Sequence, residues 1–438
     1  MTSAQEPPVI DDAPLADPAE VRRAMEYYAE RGWTDGMPVV PVTESYLAEF
    51  LAQTDRDPGD VLLPMPQLNR ACTVRLAAIN AALAGCRPEY FPVVLAAWES
   101  LAAEGYPAKG IWQSTTGTAP FLVVNGPVRD RIGLNSRGNV FGSGFRANAT
   151  IGRAIRLGVI NAFGLRPHEL DQATQGTPAK YTFCIAENEE ESPWPALHTE
   201  FGLAASDSTV TAMVIRSCVH IEARHTRVPE QLATDIAGTI SRTGALIHET
   251  ISAAVVLSPE HARLLSAAGW GKSDLRQFLF DHAVRTRAEL AAAGKEAVSS
   301  RTRWRLPADH PDALPLAGQD GAVRVLNSPA AVLVVVAGAG NAGVSAVVET
   351  FGPRGGPPPV TRVRSPELNQ LRLPHRRDCG GPARGAAPCP PCRRRRRPTR
   401  RRRDRRGNPS VALPLPREQS QDIVSPRRVR RPCAVFLY

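Results

Sequence analysis

The hydrophobic and polar positions of the chain follow a helical period in most segments and a strand pattern in a few. Helical spacing predicts helices near residues 18–31, 72–85, 88–104, 148–163, 229–249, 259–268 and 274–293, with a short one after Thr43. Apolar runs predict strands at 121–124, 181–186, 209–215, 253–257 and 332–336. Alternation of this kind is typical of layered mixed folds, so we predict an α/β (or α+β) fold.

The chain divides into four predicted regions. Residues 1–16 are expected to be a disordered N-terminus, and residues 17–205 an N-terminal α/β lobe that carries the candidate site. Residues 206–355 are expected to form a second α/β lobe, followed by a disordered Arg/Pro-rich tail over 356–438. The prediction is therefore two lobes of mixed helices and sheet with an unfolded segment at each end.

Charge is divided unevenly between the body and the tail. Residues 361–438 contain 22 Arg, 12 Pro, no Lys and five acidic residues, a net charge of +17, which leaves −7 for residues 1–360. The tail has three interpretations, namely a polyanion-binding arm, a solvated linker, or a segment translated out of frame. The absence of Lys favours the last, because GC-rich DNA read in a wrong frame yields Arg, Pro, Gly and Ala in excess.

The acidic body excludes some classes of protein. A nucleic-acid binder needs its basic residues on the folded surface, so nucleic acid is expected to bind only non-specifically through the tail. The longest apolar run has 11 residues, about half the roughly 20 that a membrane span needs. The N-terminus has neither the charge nor the apolar core of a secretory signal, so we expect a cytoplasmic protein with free thiols.

The densest polar cluster runs from Asn135 to Arg156. Within it, a glycine-rich loop opens a predicted helix, where free backbone N–H groups favour an anion. We predict that residues 138–153 bind a carboxylate or phosphate. The guanidinium groups of the arginines add hydrogen-bond donors. The residues assigned to substrate binding here are Gly142, Gly144, Arg146, Asn148, Thr150 and Arg153.

An acidic strand end and two cysteines supply the candidate catalytic groups. Glu187 and Glu189 share one face if the chain stays extended, and they are predicted to act as acid/base groups, with Lys180 as a counter-charge. Cys72 lies at the start of a predicted helix, where the dipole is expected to lower its pKa. Cys72 or Cys184 is therefore the predicted nucleophile. A buried core cysteine and a solvated acidic rim are the structural alternatives.

Other motifs carry weaker signals. Residues 338–343 match G-x-G-x-x-G after a strand, but the remainder of a dinucleotide-binding unit is missing, so a tight glycine turn is the preferred interpretation. The histidines are dispersed and predict no metal site. Asn80 and Asn161 both lie in an Ile-Asn-Ala sequence that leads to a Gly and an Arg-Pro, which indicates either an internal duplication or a chance repeat of helix-end chemistry.

Several longer strings resemble an uncharacterised bacterial protein family whose longer members carry a C-terminal domain with a U-G-S-C selenocysteine or cysteine motif. The strings are WTDGMPVVP (33–41), ACT (71–73), AGCRPEY (84–90), VNGP (124–127), RANATIGR (146–153) and KYTFCIAENE (180–189). The resemblance covers roughly residues 20–353. It implies thiol or selenol chemistry in the system and adds Asn125, in the VNGP string, to the candidate substrate-binding residues. No U-G-S-C or C-G-S-C string follows in this chain.

Three functional hypotheses follow from the sequence. The first is a soluble enzyme that binds a small anionic molecule and performs thiol-dependent chemistry of a redox or lyase type. The second is a non-catalytic binding or partner subunit for a separate UGSC-type redox protein. The third is polyanion binding through the Arg-rich tail. The sequence identifies no cofactor, and it leaves a homo-oligomer open.

Overall fold

The computed structural model describes residues 17–103, 111–242, 251–295, 316–317, 322–350 and 358–366. The α-helices in this part of the chain are α1 Pro18–Glu30, α2 Glu44–Leu51, α3 Val74–Leu83, α4 Phe91–Ala102, α5 Val128–Arg131, α6 Arg146–Phe163, α7 Pro229–Ile240, α8 Pro259–Ala267, α9 Lys272–His282 and α10 Arg287–Ala292. The strands are β1 Val61–Met65, β2 Arg70–Thr73, β3 Ala119–Asn125, β4 Cys184–Ala186, β5 Thr209–Glu222, β6 Ser252–Leu257, β7 Val284–Thr286, β8 Leu316–Ala317, β9 Ala322–Arg324, β10 Val332–Val336, β11 Val344–Thr350 and β12 Val360–Arg362.

Local sequence explains where several helices begin. Asp17 caps α1 by accepting a hydrogen bond from the amide of Ala19 at 2.9 Å, and Pro18 is the first helical residue, as predicted. Thr43 and Ser258 cap α2 and α8 through their side-chain oxygens. These caps satisfy amides that the first helical turn leaves without an intrahelical acceptor.

One mixed sheet organises the fold. Its strands lie in the order β10-β6-β11-β5-β3-β4, with β12 pairing with the first residues of β5. The pairs β10–β6 and β3–β4 are parallel and the others antiparallel. The amide of Asn188, just after β4, donates to the carbonyl of Val336 in β10 at 2.7 Å. The sheet is therefore curved so strongly that its two edges come together.

The curvature gives the sheet an inner and an outer face, each with its own core. The inner core contains alternate residues of β10, β6, β11, β5, β3 and β4. Among them are Phe121, Met213, Val256, Val335 and Val348. On the outer face, α4 and α6 cover β3, β4 and the first half of β5, and α3 packs against these two helices. Helices α7, α8 and α9 cover β6, β10 and part of β11. The mixed α/β fold is thus confirmed.

Two of the predicted helices differ from the structure because strand pairing replaces part of each. The predicted helix at 72–85 begins only at Val74, because residues 70–73 pair with β1 in a hairpin that the apolar pattern does not indicate. The predicted helix at 274–293 is confirmed only as far as His282, since the chain then forms β7 against β9. Thr286 and Glu289 then form the capping box of a new helix.

The predicted start of the disordered tail at residue 356 is wrong. Val360 to Arg362 pair with β5, and the carbonyl of Pro359 accepts a hydrogen bond from Ser100 Oγ at 2.7 Å. Residues 367–438 lie outside the described residues, as do residues 1–16. The predicted boundary at 205/206 stays a prediction, although one sheet takes strands from both sides of it. No helix in the described ranges is long and apolar enough to cross a bilayer.

Candidate functional site

The two predicted nucleophiles are buried core residues. Cys72 lies in β2 and Cys184 at the start of β4, and both side chains pack in the core beneath α3, α4 and α6. Burial raises the pKa of both thiols well above the ordinary value. The expectation of a lowered pKa at Cys72 is wrong, because the thiol lies before the helix cap and is surrounded by apolar side chains. The geometry therefore gives neither thiol the ionisation that a nucleophile needs.

The structure brings together Asn125, Glu187 and Glu189. Strands β3 and β4 are parallel neighbours, so the residues at their carboxyl ends meet. Asn125 Nδ2 donates to Glu187 Oε2 at 2.5 Å and to Glu189 Oε1 at 3.0 Å. Glu189 also accepts from the amide of Gly126 at 2.7 Å and pairs with Arg129 at 3.1 Å. The chain turns after β4, so these carboxylates do not lie along an extended face as predicted.

Every oxygen of the Glu187 carboxylate has a protein partner. In addition to Asn125, Oε2 accepts from the amide of Leu197 at 2.7 Å, and Oε1 lies 3.3 Å from Lys272 Nζ. The side chain of Glu187 is fully buried. The cluster ties the ends of β3 and β4 to α9, and it offers no free carboxylate for acid/base chemistry.

The predicted arginine donors are also committed to the protein. Arg153 forms a bidentate ion pair with Asp35, in which Nε and Nη2 each lie 2.8 Å from a carboxylate oxygen. Nη2 also donates to the carbonyl of Pro38 at 2.8 Å. Arg146 donates from Nε to the carbonyl of Gly85 at 2.9 Å. Arg153 Nη1 also lies 3.5 Å from the carbonyl of Ala84, so both arginines reach adjacent carbonyls just after α3. These contacts fasten the 33–41 segment and the end of α3 to α6.

The remaining residues of the 138–153 prediction stabilise the loop itself. Asn148 is buried and bonds both the amide and the carbonyl of Asn135, at 2.8 and 3.0 Å. Thr150 Oγ1 donates to a carbonyl one turn earlier in α6 at 2.8 Å. Gly142 and Gly144 lie in the exposed turn before the helix, and Gly144 has a φ of +119° that favours glycine.

Lys180 is the predicted residue that lies in a cluster of ionisable groups at an open cleft. Its Nζ lies 2.7 and 2.6 Å from the two carboxylate oxygens of Asp171. Arg156, on α6, donates from Nη2 to the same carboxylate at 2.9 Å. The side chains of Asp171, Arg156 and Lys180 are only 2%, 7% and 15% exposed. Two cations and one carboxylate give this buried group a net charge of +1.

Burial and pairing shift the ionisation of this cluster. Burial lowers the pKa of Lys180 below its usual value, and the hydrogen bond to Asp171 opposes that change. Burial alone raises the pKa of Asp171, but the hydrogen bond from Lys180 and the charges of Lys180 and Arg156 outweigh it, so its pKa is lowered. Asp171 is therefore ionised, and Lys180 releases a proton more readily than an exposed lysine.

The backbone around Lys180 is fixed by short-range contacts. Gly164, with a φ of +63°, ends α6 and lets the chain turn back along the helix. The amide of Ala173 donates to Asp171 Oδ1 at 3.2 Å. Thr177 then caps the short 3₁₀ helix Pro178–Lys180, which places Lys180 beside α6.

Two adjoining hollows of about 580 and 360 Å³ meet at this cluster. Their shared lining consists of Arg156, Pro167, Gln175, Gly176 and Lys180. One hollow extends to residues 34–36 and Tyr181, and the other to His168 and Asp171. We refer to both together as the Lys180 cleft. Buried ionisable groups with shifted pKa values in such a cleft are typical of functional sites.

Sequence reasoning missed Asp171, the partner of Lys180, and Arg156, which pairs with the same carboxylate. Arg156 interrupts the apolar face of α6, where Ile155, Leu157 and Val159 are buried. A charged residue on a buried helix face needs a buried partner of opposite charge. The position of Arg156 in the sequence therefore indicated that such a partner exists. Asp171 lies in an irregular loop, where no periodicity marks it. Within the described ranges, no three His, Cys, Asp or Glu side chains are grouped to hold a metal ion.

The comparisons with known proteins assign no family to this chain. It matches no protein-family model, and none of the curated proteins matches it significantly. The resemblance to the U-G-S-C family therefore stays a prediction, and the functional argument depends on the geometry of the cleft.

Proposed function

We propose that this chain is an enzyme that binds a small anionic substrate in the Lys180 cleft and uses Lys180 to transfer a proton. The observation that carries the proposal is the buried Lys180–Asp171–Arg156 cluster, whose net charge is +1. Water is partly excluded there, so the attraction between this excess cation and a carboxylate or phosphate is stronger than at the surface.

Of the reaction types predicted from the sequence, the lyase type is the better supported. The two buried thiols have raised pKa values, which argues against Cys72 or Cys184 as the reacting group. Lys180 has a lowered pKa, which is the usual property of a lysine that exchanges protons during catalysis. The thiol-dependent redox step and a separate redox partner protein stay predictions.

The proposed step needs no co-reactant. The anion binds while Lys180 is charged, and Lys180 then releases its proton to water. The neutral amine takes a proton from the carbon next to the substrate carboxylate and becomes an ammonium again, which restores the positive charge beside the substrate. The electron pair left on that carbon delocalises into the carboxylate, beside Arg156. Return of the proton gives an isomerisation, and expulsion of a leaving group from the next carbon, with its bonding electrons, gives an elimination.

Deuterium exchange tests this step without knowledge of the product. The full chain in D₂O is incubated with a panel of 2-hydroxy and 2-amino carboxylates, and ¹H NMR follows the loss of the C–H signal next to the carboxylate. We expect exchange in at least one substrate class. Lys180→Arg keeps the positive charge, so binding is retained while exchange falls by about 10²-fold or more.

Two further variants complete the test. Lys180→Met removes the charge as well, so both binding and exchange are lost. Lys295→Met removes a lysine that does not line the cleft and leaves both unchanged. Exchange that survives Lys180→Arg at the wild-type rate would contradict the proposal.

The second candidate is a non-catalytic binding subunit. It is favoured by the pairing of Lys180 Nζ with both oxygens of Asp171, because this pairing stabilises the ammonium form of Lys180, which cannot accept a proton from a substrate. Binding of a panel member without exchange, equal in the wild type and Lys180→Arg, identifies this case.

The third hypothesis, polyanion binding, concerns the Arg-rich tail outside the described residues. Removal of residues 367–438 leaves β12 in place and tests it. Retention on immobilised nucleic acid at low salt that is unchanged by this truncation rules out the tail as the binding element.

A further inference from the structure

A second cleft lies at the opening of the curved sheet and does not include Lys180. Its volume is about 630 Å³, which is within the range of small-molecule sites. Residues 138–142 form one wall and residues 337–342 the other. The second wall contains the G-x-G-x-x-G string, so we refer to this feature as the glycine cleft.

The loop after β10 presents a row of backbone amides. Ala339 and Asn341 line the cleft, and among the described residues their amides form no backbone hydrogen bond. The loop is nevertheless fixed at both ends. The amide of Gly338 donates to the carbonyl of Ser136 at 2.8 Å, and the carbonyl of Gly343 accepts from Ala223 at 3.0 Å. Amides held in this way are suited to an anion.

Strand β11, which follows the loop, excludes a dinucleotide-binding unit as the explanation of the glycine pattern. A dinucleotide-binding unit continues from its glycines into a helix, whereas this loop continues directly into β11. The glycines instead allow close approach to neighbouring side chains. A Cβ atom on Gly340 would lie 2.9 Å from Arg263 Nη2 and 3.1 Å from Glu191 Oε2, so this ion pair lies next to the loop and adds no net charge there.

The lining of the cleft changes from cationic to apolar. Arg224 and His220 lie at the exposed side, and Arg224 makes only a 3.5 Å contact with the exposed Glu222. Buried Val256 and Ala346 form the floor. The cleft thus complements a molecule with an anionic end and a flat apolar body.

We infer that the glycine cleft is a binding site for a nucleotide. Its phosphates would bind the amides of Ala339 and Asn341 and the side chain of Arg224, and its base would pack on the apolar floor. The inference is independent of the proposed function, because it uses no residue of the Lys180 cleft.

Titration calorimetry with the full chain at 150 mM salt tests the inference, with ADP, AMP, adenosine and pyrophosphate as probes. We expect ADP to bind most tightly, and adenosine and pyrophosphate to bind at least tenfold more weakly. Arg224→Gln weakens ADP binding by about tenfold, the effect of losing about 1.4 kcal/mol. Arg227→Gln is the matched control, since this exposed arginine does not line the cleft, and it leaves ADP binding unchanged.

Two more variants separate this site from other sources of binding. Ala339→Trp fills the mouth of the cleft from a partly exposed position and abolishes ADP binding, while circular dichroism checks that the fold is intact. Lys180→Met leaves ADP binding unchanged. The inference is overturned if ADP gives no binding heat at millimolar concentration. It is also overturned if pyrophosphate binds as tightly as ADP, or if Ala339→Trp and Arg224→Gln bind ADP like the wild type.

Discussion

Asn161 donates a hydrogen bond from Nδ2 to Oδ1 of Asn80 at 2.6 Å, between helices α6 and α3. These are the two asparagines of the repeated Ile-Asn-Ala sequence, and both are buried. Asn80 uses its own Nδ2 to bond the carbonyl of Leu76 at 2.8 Å, while Asn161 also reaches the carbonyl of Trp33 at 3.2 Å. The two halves of the sequence repeat thus meet at one polar contact inside an apolar interface.

We expect the two asparagines to be energetically coupled. Asn161→Ala leaves the buried Oδ1 of Asn80 without a donor, so it lowers the free energy of unfolding by about 1–3 kcal/mol. The double variant Asn80→Ala/Asn161→Ala costs less than the sum of the two single variants, because no orphaned partner remains. Urea denaturation of all four proteins measures the coupling, and additivity within about 0.3 kcal/mol would show that the contact contributes little.

Asp171→Asn is expected to lower the pKa of Lys180 further. The Asp171 carboxylate raises that pKa through its hydrogen bond and charge, and its removal leaves burial and Arg156 to lower it. The chain has only four lysines, so the ¹³Cε signals of a lysine-labelled sample can be followed individually during a pH titration. Lys295 serves as the internal reference, and an upward shift at Lys180 would be the opposite of this expectation.

Asp171 also makes stability depend on pH. Its pKa in the folded protein is below the ordinary value of 3.8, so ionisation stabilises the fold above that pH. The contribution is lost as the pH falls through the lowered pKa. We therefore expect the stability difference between wild type and Asp171→Asn to be constant at neutral pH and to shrink below about pH 4. Thermal unfolding at a series of pH values measures it.

Thiol labelling of the native protein is expected to distinguish the four described cysteines. Cys218 is exposed on β5. Partial burial of its thiol raises the pKa only to about 11. Cys72, Cys86 and Cys184 are buried. Brief treatment with iodoacetamide at pH 8 followed by peptide mapping is therefore expected to find Cys218 modified first. Rapid modification of Cys72 or Cys184 would restore the thiol mechanism.

Thr211→Val is expected to stabilise the protein by about 1 kcal/mol, because its buried hydroxyl has no hydrogen-bond partner among the described residues. Val has a similar shape and lacks the group that burial penalises. Thr234→Val, on the exposed face of α7, is the control and changes stability by less than about 0.5 kcal/mol. Chemical denaturation measures whether the substitution raises or lowers the free energy of unfolding. A lower value would indicate an ordered water at Thr211.

Elements with strong local signals were predictable from the sequence. The first helix has both its cap and its proline, and β6 and β10 are apolar runs bounded by turn residues, so local chemistry is sufficient there. Strand β11 was missed because its pairing with β5 and β6 is a long-range contact with no local marker. The same limit applies to β7, which forms only because β9 lies beside it.

The candidate site was only partly predictable, because the fold and not the local sequence determines which side chains meet there. Asn125 and Glu187 converge because their strands are parallel neighbours, which the sequence does not state. Lys180 was recognised as a charged residue near a strand, but its partner Asp171 lies nine positions earlier in a loop held by Gly164 and Thr177. Arg153 was expected to be free, yet Asp35, more than a hundred residues away, neutralises it.

The pairing of β12 with β5 sets a practical limit on how the chain can be shortened. Any version that ends before residue 359 removes a strand, the Arg362–Asp207 ion pair and the acceptor of Ser100. It also uncovers the first residues of β5, whose free backbone groups are then open to pairing with another molecule. A protein cut there is expected to aggregate, whereas one that retains β12 keeps its sheet edge closed.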